Sequence, residues 1–89
     1  MSWEYRFSKF AAKQIKAIDL KHLKRIKQAL DVLVKNPYLK NNNIKVLTGE
    51  FKGYYRLRIG RYRVIYSLDN ILLIIFIEMV SKRNEKTYK

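Results

Sequence analysis

Tyr55-Arg56-Leu57-Arg58-Ile59-Gly60-Arg61-Tyr62-Arg63-Val64-Ile65-Tyr66 is the stretch that decides the fold. It reads as two β-strands joined at Gly60. Side chains of a strand alternate between faces with a period of two. Tyr55, Leu57 and Ile59 therefore share one face of the first arm, and Tyr62, Val64 and Tyr66 form the matching apolar set of the second. The reversal at Gly60 changes the parity, so both sets can face one core. Arg56, Arg58, Arg61 and Arg63 are then left together on the opposite face. Guanidiniums gathered this closely repel one another and call for an anion. Their planar, permanently charged fork donates paired hydrogen bonds that match a phosphate. A solvated charged face is the alternative reading of such a run. With no acid between the arginines and an unbroken apolar stripe behind them, a phosphate-binding surface is the reading we adopt.

Outward from the hairpin, Asp69-Asn70 marks a turn, and the apolar run Ile71 to Ile77, closed by Glu78, reads as a strand buried on both faces and central to the sheet. Upstream, Thr48-Gly49-Glu50 is a turn and Ile44 to Leu47 a short extended piece. Trp3, Tyr5 and Phe7 alternate with polar neighbours, so residues 2–7 read as a first strand. Ser8 can cap a following helix whose apolar face is Phe10, Ala11, Ile15 and Ile18. Asp19 punctuates. A second helix then runs to about Lys35 with the stripe Leu23, Ile26, Leu30, Leu33 and Val34, and Asn36-Pro37 stops it. Two helices with one apolar face each must bury those faces against the sheet. The pattern predicts one α+β domain over residues 1–89: a small antiparallel sheet, two N-terminal helices on one face, and the arginines on the uncovered face.

Composition agrees. The 89 residues carry 20 Lys and Arg against 7 Asp and Glu, a formal charge of +13. A small domain this basic suffers self-repulsion that an anionic partner relieves, and nucleic acid is the first such partner to consider, ahead of an anionic membrane surface or an acidic protein. Hydrophobic residues make up 48% of the chain, which excludes a disordered basic tail. The absence of cysteine excludes disulfides, thiolate metal sites and a cysteine nucleophile, and fits a cytoplasmic setting. Neither a signal peptide nor an apolar run of membrane-spanning length is visible, and no metal or cofactor motif is present.

Several further residues carry chemistry. His22 is the one histidine and reads as a surface residue of the second helix. Tyr54 has the parity of the arginines and is the better aromatic for stacking, whereas Tyr55, Tyr62 and Tyr66 read as core. Lys21, Lys24, Arg25, Lys27, Lys40 and Lys45 could touch RNA backbone or form a solvated face.

Lys45-Val46-Leu47-Thr48-Gly49, the Tyr-Arg-Leu-Arg-x-Gly-x-Tyr-Arg-Val-x-Tyr pattern of residues 55–66, the apolar strand after it and the ending Ser81-Lys82-Arg83-Asn84-Glu85-Lys86-Thr87-Tyr88 together resemble the RelE branch of the RelE/ParE toxins. The resemblance covers nearly the whole chain. It implies a RelE-like fold and a small ribonuclease, an mRNA interferase, that cuts messenger RNA in the ribosomal A site, contacts ribosomal RNA, and is silenced in a hetero-oligomer with an acidic, RelB-like antitoxin. Carried over by position, Arg63 matches the catalytic arginine of the Tyr-Arg motif, Arg83 the arginine of the later Lys-Arg pair, and Tyr88 the C-terminal tyrosine. Arg56 and Arg58 fall where the family places basic residues on the first hairpin strand. Lys52, Arg61 and Lys82 complete the RNA-binding set that we expect.

The chemistry implied is attack of the 2′-hydroxyl on the adjacent phosphorus without a metal, leaving a 2′,3′-cyclic phosphate and a 5′-hydroxyl. It needs a cation for the extra charge of the pentacoordinate phosphate, and Arg63 and Arg83 suit that role. The proton carrier stays open. Relatives ending in a His-Tyr pair use a glutamate base, but no histidine lies near this C-terminus. Tyr88 could act as acid or base or could stack on a base, and Glu50 and Glu85 are alternatives that no spacing selects. The second functional reading is a ParE-like toxin that inhibits DNA gyrase without cutting RNA, and a third is an inactive RNA-binding module.

Overall fold

The computed structural model describes residues 2–82. It runs β1 (Glu4–Phe7), α1 (Lys9–Lys16), α2 (Leu20–Lys35), β2 (Ile44–Val46), a 3-10 turn at Gly49–Phe51, β3 (Tyr55–Ile59), β4 (Tyr62–Asp69) and β5 (Ile74–Lys82). The sheet order is β1-β5-β4-β3-β2. Neighbours are antiparallel except β1 and β5, which pair in parallel because both helices and the three intervening strands separate them in the chain.

The hairpin forms as the alternation requires. Ile59 pairs with Tyr62, Leu57 with Val64 and Tyr55 with Tyr66. Gly60 and Arg61 make the two-residue turn, with Gly60 at φ +58. A glycine first in the turn is what a type II′ hairpin needs, and that turn follows the natural twist of the strands. A Cβ there would meet nothing closer than Arg25 Nη1 at 3.8 Å, so the demand for glycine is one of backbone conformation.

The apolar stripe meets the helices. Ala11, Ile26, Leu30 and Leu33 from the helices and Leu57, Tyr62, Val64, Tyr66, Ile75, Ile77 and Val80 from the sheet form the buried core. Both caps are made. Ser8 Oγ accepts from Ala11 N at 3.0 Å, and Asp19 Oδ1 accepts from His22 N at 3.3 Å. Phe10 departs from the expected core face and is 56% exposed: it lies next to buried Ala11 in the first turn and points away from the sheet.

The last strand differs from expectation. It starts at Ile74, not Ile71, and lies between β1 and β4 rather than at the centre. Asp69 Oδ1 accepts from both Ile71 N and Leu72 N at 2.9 Å, and this Asx-type turn holds Ile71 92% exposed. Nor is β5 buried on both faces: Ile75, Ile77 and Val80 are buried, while Ile74, Phe76, Glu78 and Met79 are half-buried. A register shift between Ile65 and Tyr66 leaves Glu78 as the extra residue of a β-bulge, since Ile65 pairs with Met79 but Tyr66 with Ile77.

Beyond Phe7, where β1 ends, α1 and its cap take over the edge of β5. Ser8 N donates to Ile77 O (2.9 Å), Ser8 Oγ to Glu78 O (2.9 Å), and Val80 N donates to Gln14 Oε1 at 2.6 Å. Replacing Gln14 by Ala strips the acceptor from a backbone N–H in the core. Urea unfolding should show a loss of about 1–3 kcal/mol with an unchanged m-value; an unchanged midpoint would remove this tie from the account.

Tyr66 is fully buried, stacks on Tyr55 at 5.3 Å between centroids, and its hydroxyl has no hydrogen-bond partner among the described residues. Burial, with a smaller contribution from Tyr55, pushes its pKa up to about 12 from the ordinary 10.0. The folded state therefore keeps a proton that the unfolded chain loses first. The stability this confers is intact below pH 10.0 and is lost as pH rises to about 12. Tyr66→Phe should leave the urea midpoint at pH 7 unchanged or raised, and should lose less stability than the parent between those pH values.

Candidate nucleic-acid interface

Sheet parity sends Arg56, Arg58 and Arg63 to the face that the helices leave uncovered. Arg58 pairs directly with Arg63, Arg56 lies opposite Ile65, and Lys45 of β2 lies opposite Arg56. Arg63 in turn pairs with Ser81 of β5. A cationic field thus spans three neighbouring strands, β2, β3 and β4, near the Gly60 end of the sheet. Arg58 and Arg63 present two guanidiniums side by side on the open face. The two ion pairs found among the described residues, Arg6–Glu4 at 3.3 Å and His22–Asp19, both exclude Arg56 and Arg58. Arg56 is half-buried, and its Nε is shielded from solvent without a hydrogen-bond partner among the described residues. Guanidiniums fixed on a rigid sheet at this spacing offer several donor pairs to successive phosphates.

The other expected residues are not all brought here. Arg61 occupies the second turn position, outside both strands, so alternation does not place it with the other three. Lys52 follows the 3-10 turn and is exposed, off the sheet. Lys82 lies apart from the three sheet arginines. It pairs with Tyr62, whose side chain faces the core, so it has the parity of the helix side rather than that of Arg63. The bulge at Glu78 shifts the alternation of every later residue of β5 by one, which moves Lys82 off the arginine face and puts Ser81 on it. Arg83, Glu85 and Tyr88 lie outside the described residues.

Sequence reasoning missed two features. On the helix side a groove of about 430 Å3 opens between α2 and β3, lined by Arg25, Ala29, Val32, Leu39, Leu57 and Ile59. Its walls come from segments far apart in the chain, so no local pattern announces it. On the arginine side the bulge places the Glu78 carboxylate on the open face, where Ser67 Oγ donates to Glu78 Oε2 at 3.4 Å. His22 sits on the helix side. Its ring lies 5.4 Å from that of Tyr62 and its Nδ1 contacts Asp19, which holds the Asp19 carboxyl below its ordinary range through that side-chain hydrogen bond. Among the described residues no cluster of His, Cys, Asp and Glu has the make-up of a metal site, and no helix is long and apolar enough to cross a membrane.

A family model described as the ParE toxin of the type II toxin–antitoxin system parDE matches residues 5–85. No curated protein matches the chain. Among solved structures, the archaeal RelE–RelB complex from Pyrococcus horikoshii is similar at 27% identity and TM-score 0.79, over 96% of this chain and 99% of that one. The YoeB–YefM complex from Staphylococcus aureus is similar at 25% identity and TM-score 0.73, over 92% and 98%. The RelBE2 complex from Mycobacterium tuberculosis, at 23% identity, shares the fold with TM-score 0.80 over 93% and 100%. The sheet with its two helices is thus RelE-like, and the chain belongs to the RelE/ParE toxins of type II toxin–antitoxin systems.

Proposed function

We propose that this toxin is a ribosome-dependent endoribonuclease whose arginine face holds messenger RNA by its phosphates. The observation that carries the reading is the cross-strand Arg58–Arg63 pair on the open sheet face, next to Arg56. Two guanidiniums side by side on neighbouring strands offer paired donors to successive phosphates. In this reading Arg63 faces the scissile phosphate and stabilises the charge that develops as the 2′-hydroxyl attacks. Arg56, Arg58 and Lys45 hold flanking phosphates and set the strand in line, as phosphate contacts position without reading sequence. Arg83 and Tyr88 act from the C-terminal tail, Arg83 as a second cation and Tyr88 in proton transfer or base stacking, on the strength of the family resemblance. Arg61, Lys52 and Lys82 then serve outlying RNA backbone rather than the reacting phosphate. The partner is an acidic antitoxin that covers the arginine face. The RelE–RelB and YoeB–YefM structures are toxin–antitoxin complexes, which supports such a partner here.

The family match to ParE supports a second reading, a toxin that inhibits DNA gyrase and leaves RNA intact. Mapping transcript ends after induction separates the two. The nuclease reading expects codon-phased cuts with 5′-hydroxyl ends, and intact transcripts with DNA damage would replace it by the gyrase reading.

Arg63→Ala should lower cleavage on programmed ribosomes by about 10²–10³ while the protein keeps its fold; full activity would remove Arg63 from the reaction. Binding of single-stranded RNA should weaken linearly in log–log terms as salt rises, and Arg58→Ala should reduce that slope by about 0.7, one phosphate contact. An unchanged slope would place Arg58 away from the RNA.

A further inference from the structure

A carboxylate on a phosphate-binding face weakens the binding of phosphates, so the position of Glu78 calls for an explanation. With a regular register, β5 would turn out every second residue. The bulge instead leaves Glu78 and Met79 both on the open side, between buried Ile77 and Val80. Glu78 is half-buried and has no ion pair with any described residue, Arg6 being engaged with Glu4. Among the described residues its one side-chain hydrogen bond is the long contact from Ser67 Oγ, at 3.4 Å. Phe76 pairs with Ser67 across the strands, and Tyr54, just before β3, has the parity of Arg56. Both rings are half-buried, and neither meets another ring among the described residues. Ser67 is four positions beyond Arg63 on β4, about 13 Å at the usual rise of a strand. An extended nucleic-acid strand whose phosphates lie on the arginines and that runs along β4 reaches this second patch on the same face.

We propose that Ser67 and Glu78, framed by Tyr54 and Phe76, form a nucleobase subsite that selects guanine in single-stranded RNA. The proposal rests on the reading of the arginine face as RNA-binding. The aromatic faces accept a splayed base of any kind by stacking. The carboxylate makes the selection. Ionised, it is acceptor-only, with two oxygens side by side. Guanine is the base whose Watson–Crick edge presents two adjacent, parallel donors, N1–H and the 2-amino group, to such a pair. Cytosine and adenine offer one donor beside a repelling ring-nitrogen acceptor, and uracil one donor between two carbonyls.

The test is fluorescence anisotropy with labelled oligouridine RNAs that carry a single central G, A or C, titrated with the full chain and with Glu78→Gln at fixed salt. The parent should bind the G-containing oligomer about tenfold more tightly than the A-containing one, and Glu78→Gln should bring that ratio close to one. Tyr54→Ala and Phe76→Ala should each weaken all oligomers about tenfold and keep the guanine preference. Thermal melting of each variant confirms that it is folded. RNA binding without a guanine preference, or a preference that survives in Glu78→Gln, overturns the subsite and leaves the phosphate reading standing. Failure of the parent to bind any of the oligomers overturns both.

Discussion

The register of the β3–β4 hairpin is the constraint on which the rest depends. Leu57 opposite Val64 and Arg58 opposite Arg63 are consecutive rungs of one ladder. The first is held because its side chains complete the core under α2, and the second is the consequence. A slip of one residue would turn every side chain of a strand to the other face. Arginines would then enter the core and the apolar stripe would face water. Burial of Val64 and Tyr66 at 0% exposure thus fixes the face on which the guanidiniums stand. The fold stabilises the site indirectly, through the face opposite to it.

The second organising feature is the junction of α1 with β5. Where β1 stops, Ser8 and Gln14 supply the polar partners that a further strand residue would have offered to Ile77, Glu78 and Val80. The bulge sits in this same segment. One inserted residue there moves Lys82 to the helix side and Ser81 to the arginine side.

Much of this was legible in the sequence because it depends on period alone. The strict alternation of residues 55–66, the glycine at the reversal, the Ser8 and Asp19 caps and the Asn36-Pro37 stop each have a local physical cause, and each stands where it was read. What escaped has a non-local cause or competes with one. Ile71 and Leu72 look like strand residues, but the Asp69 carboxylate captures their amides and holds them in a turn. Phe10 satisfies a helical spacing but is one position off the buried face set by Ala11. Lys82 was expected to bind RNA, and which face of the sheet it takes is set by a bulge with no compositional signature. The parallel pairing of β1 with β5 and the groove between α2 and β3 are products of tertiary assembly. Of the candidate site, Arg56, Arg58 and Arg63 could be placed by counting. The partnership of Ser67 and Glu78 could not.

The central claim is that RNA phosphates lie on the uncovered sheet face. The most direct measurement is NMR of the arginine Nε–Hε groups in isotope-labelled toxin titrated with a short RNA whose 2′-hydroxyls are replaced by hydrogen to prevent cleavage. The account predicts saturable shifts at Arg56, Arg58 and Arg63, with Arg25 of α2 unaffected. Shifts confined to Arg25 and the lysines of α2, with the three sheet arginines unmoved, would contradict it.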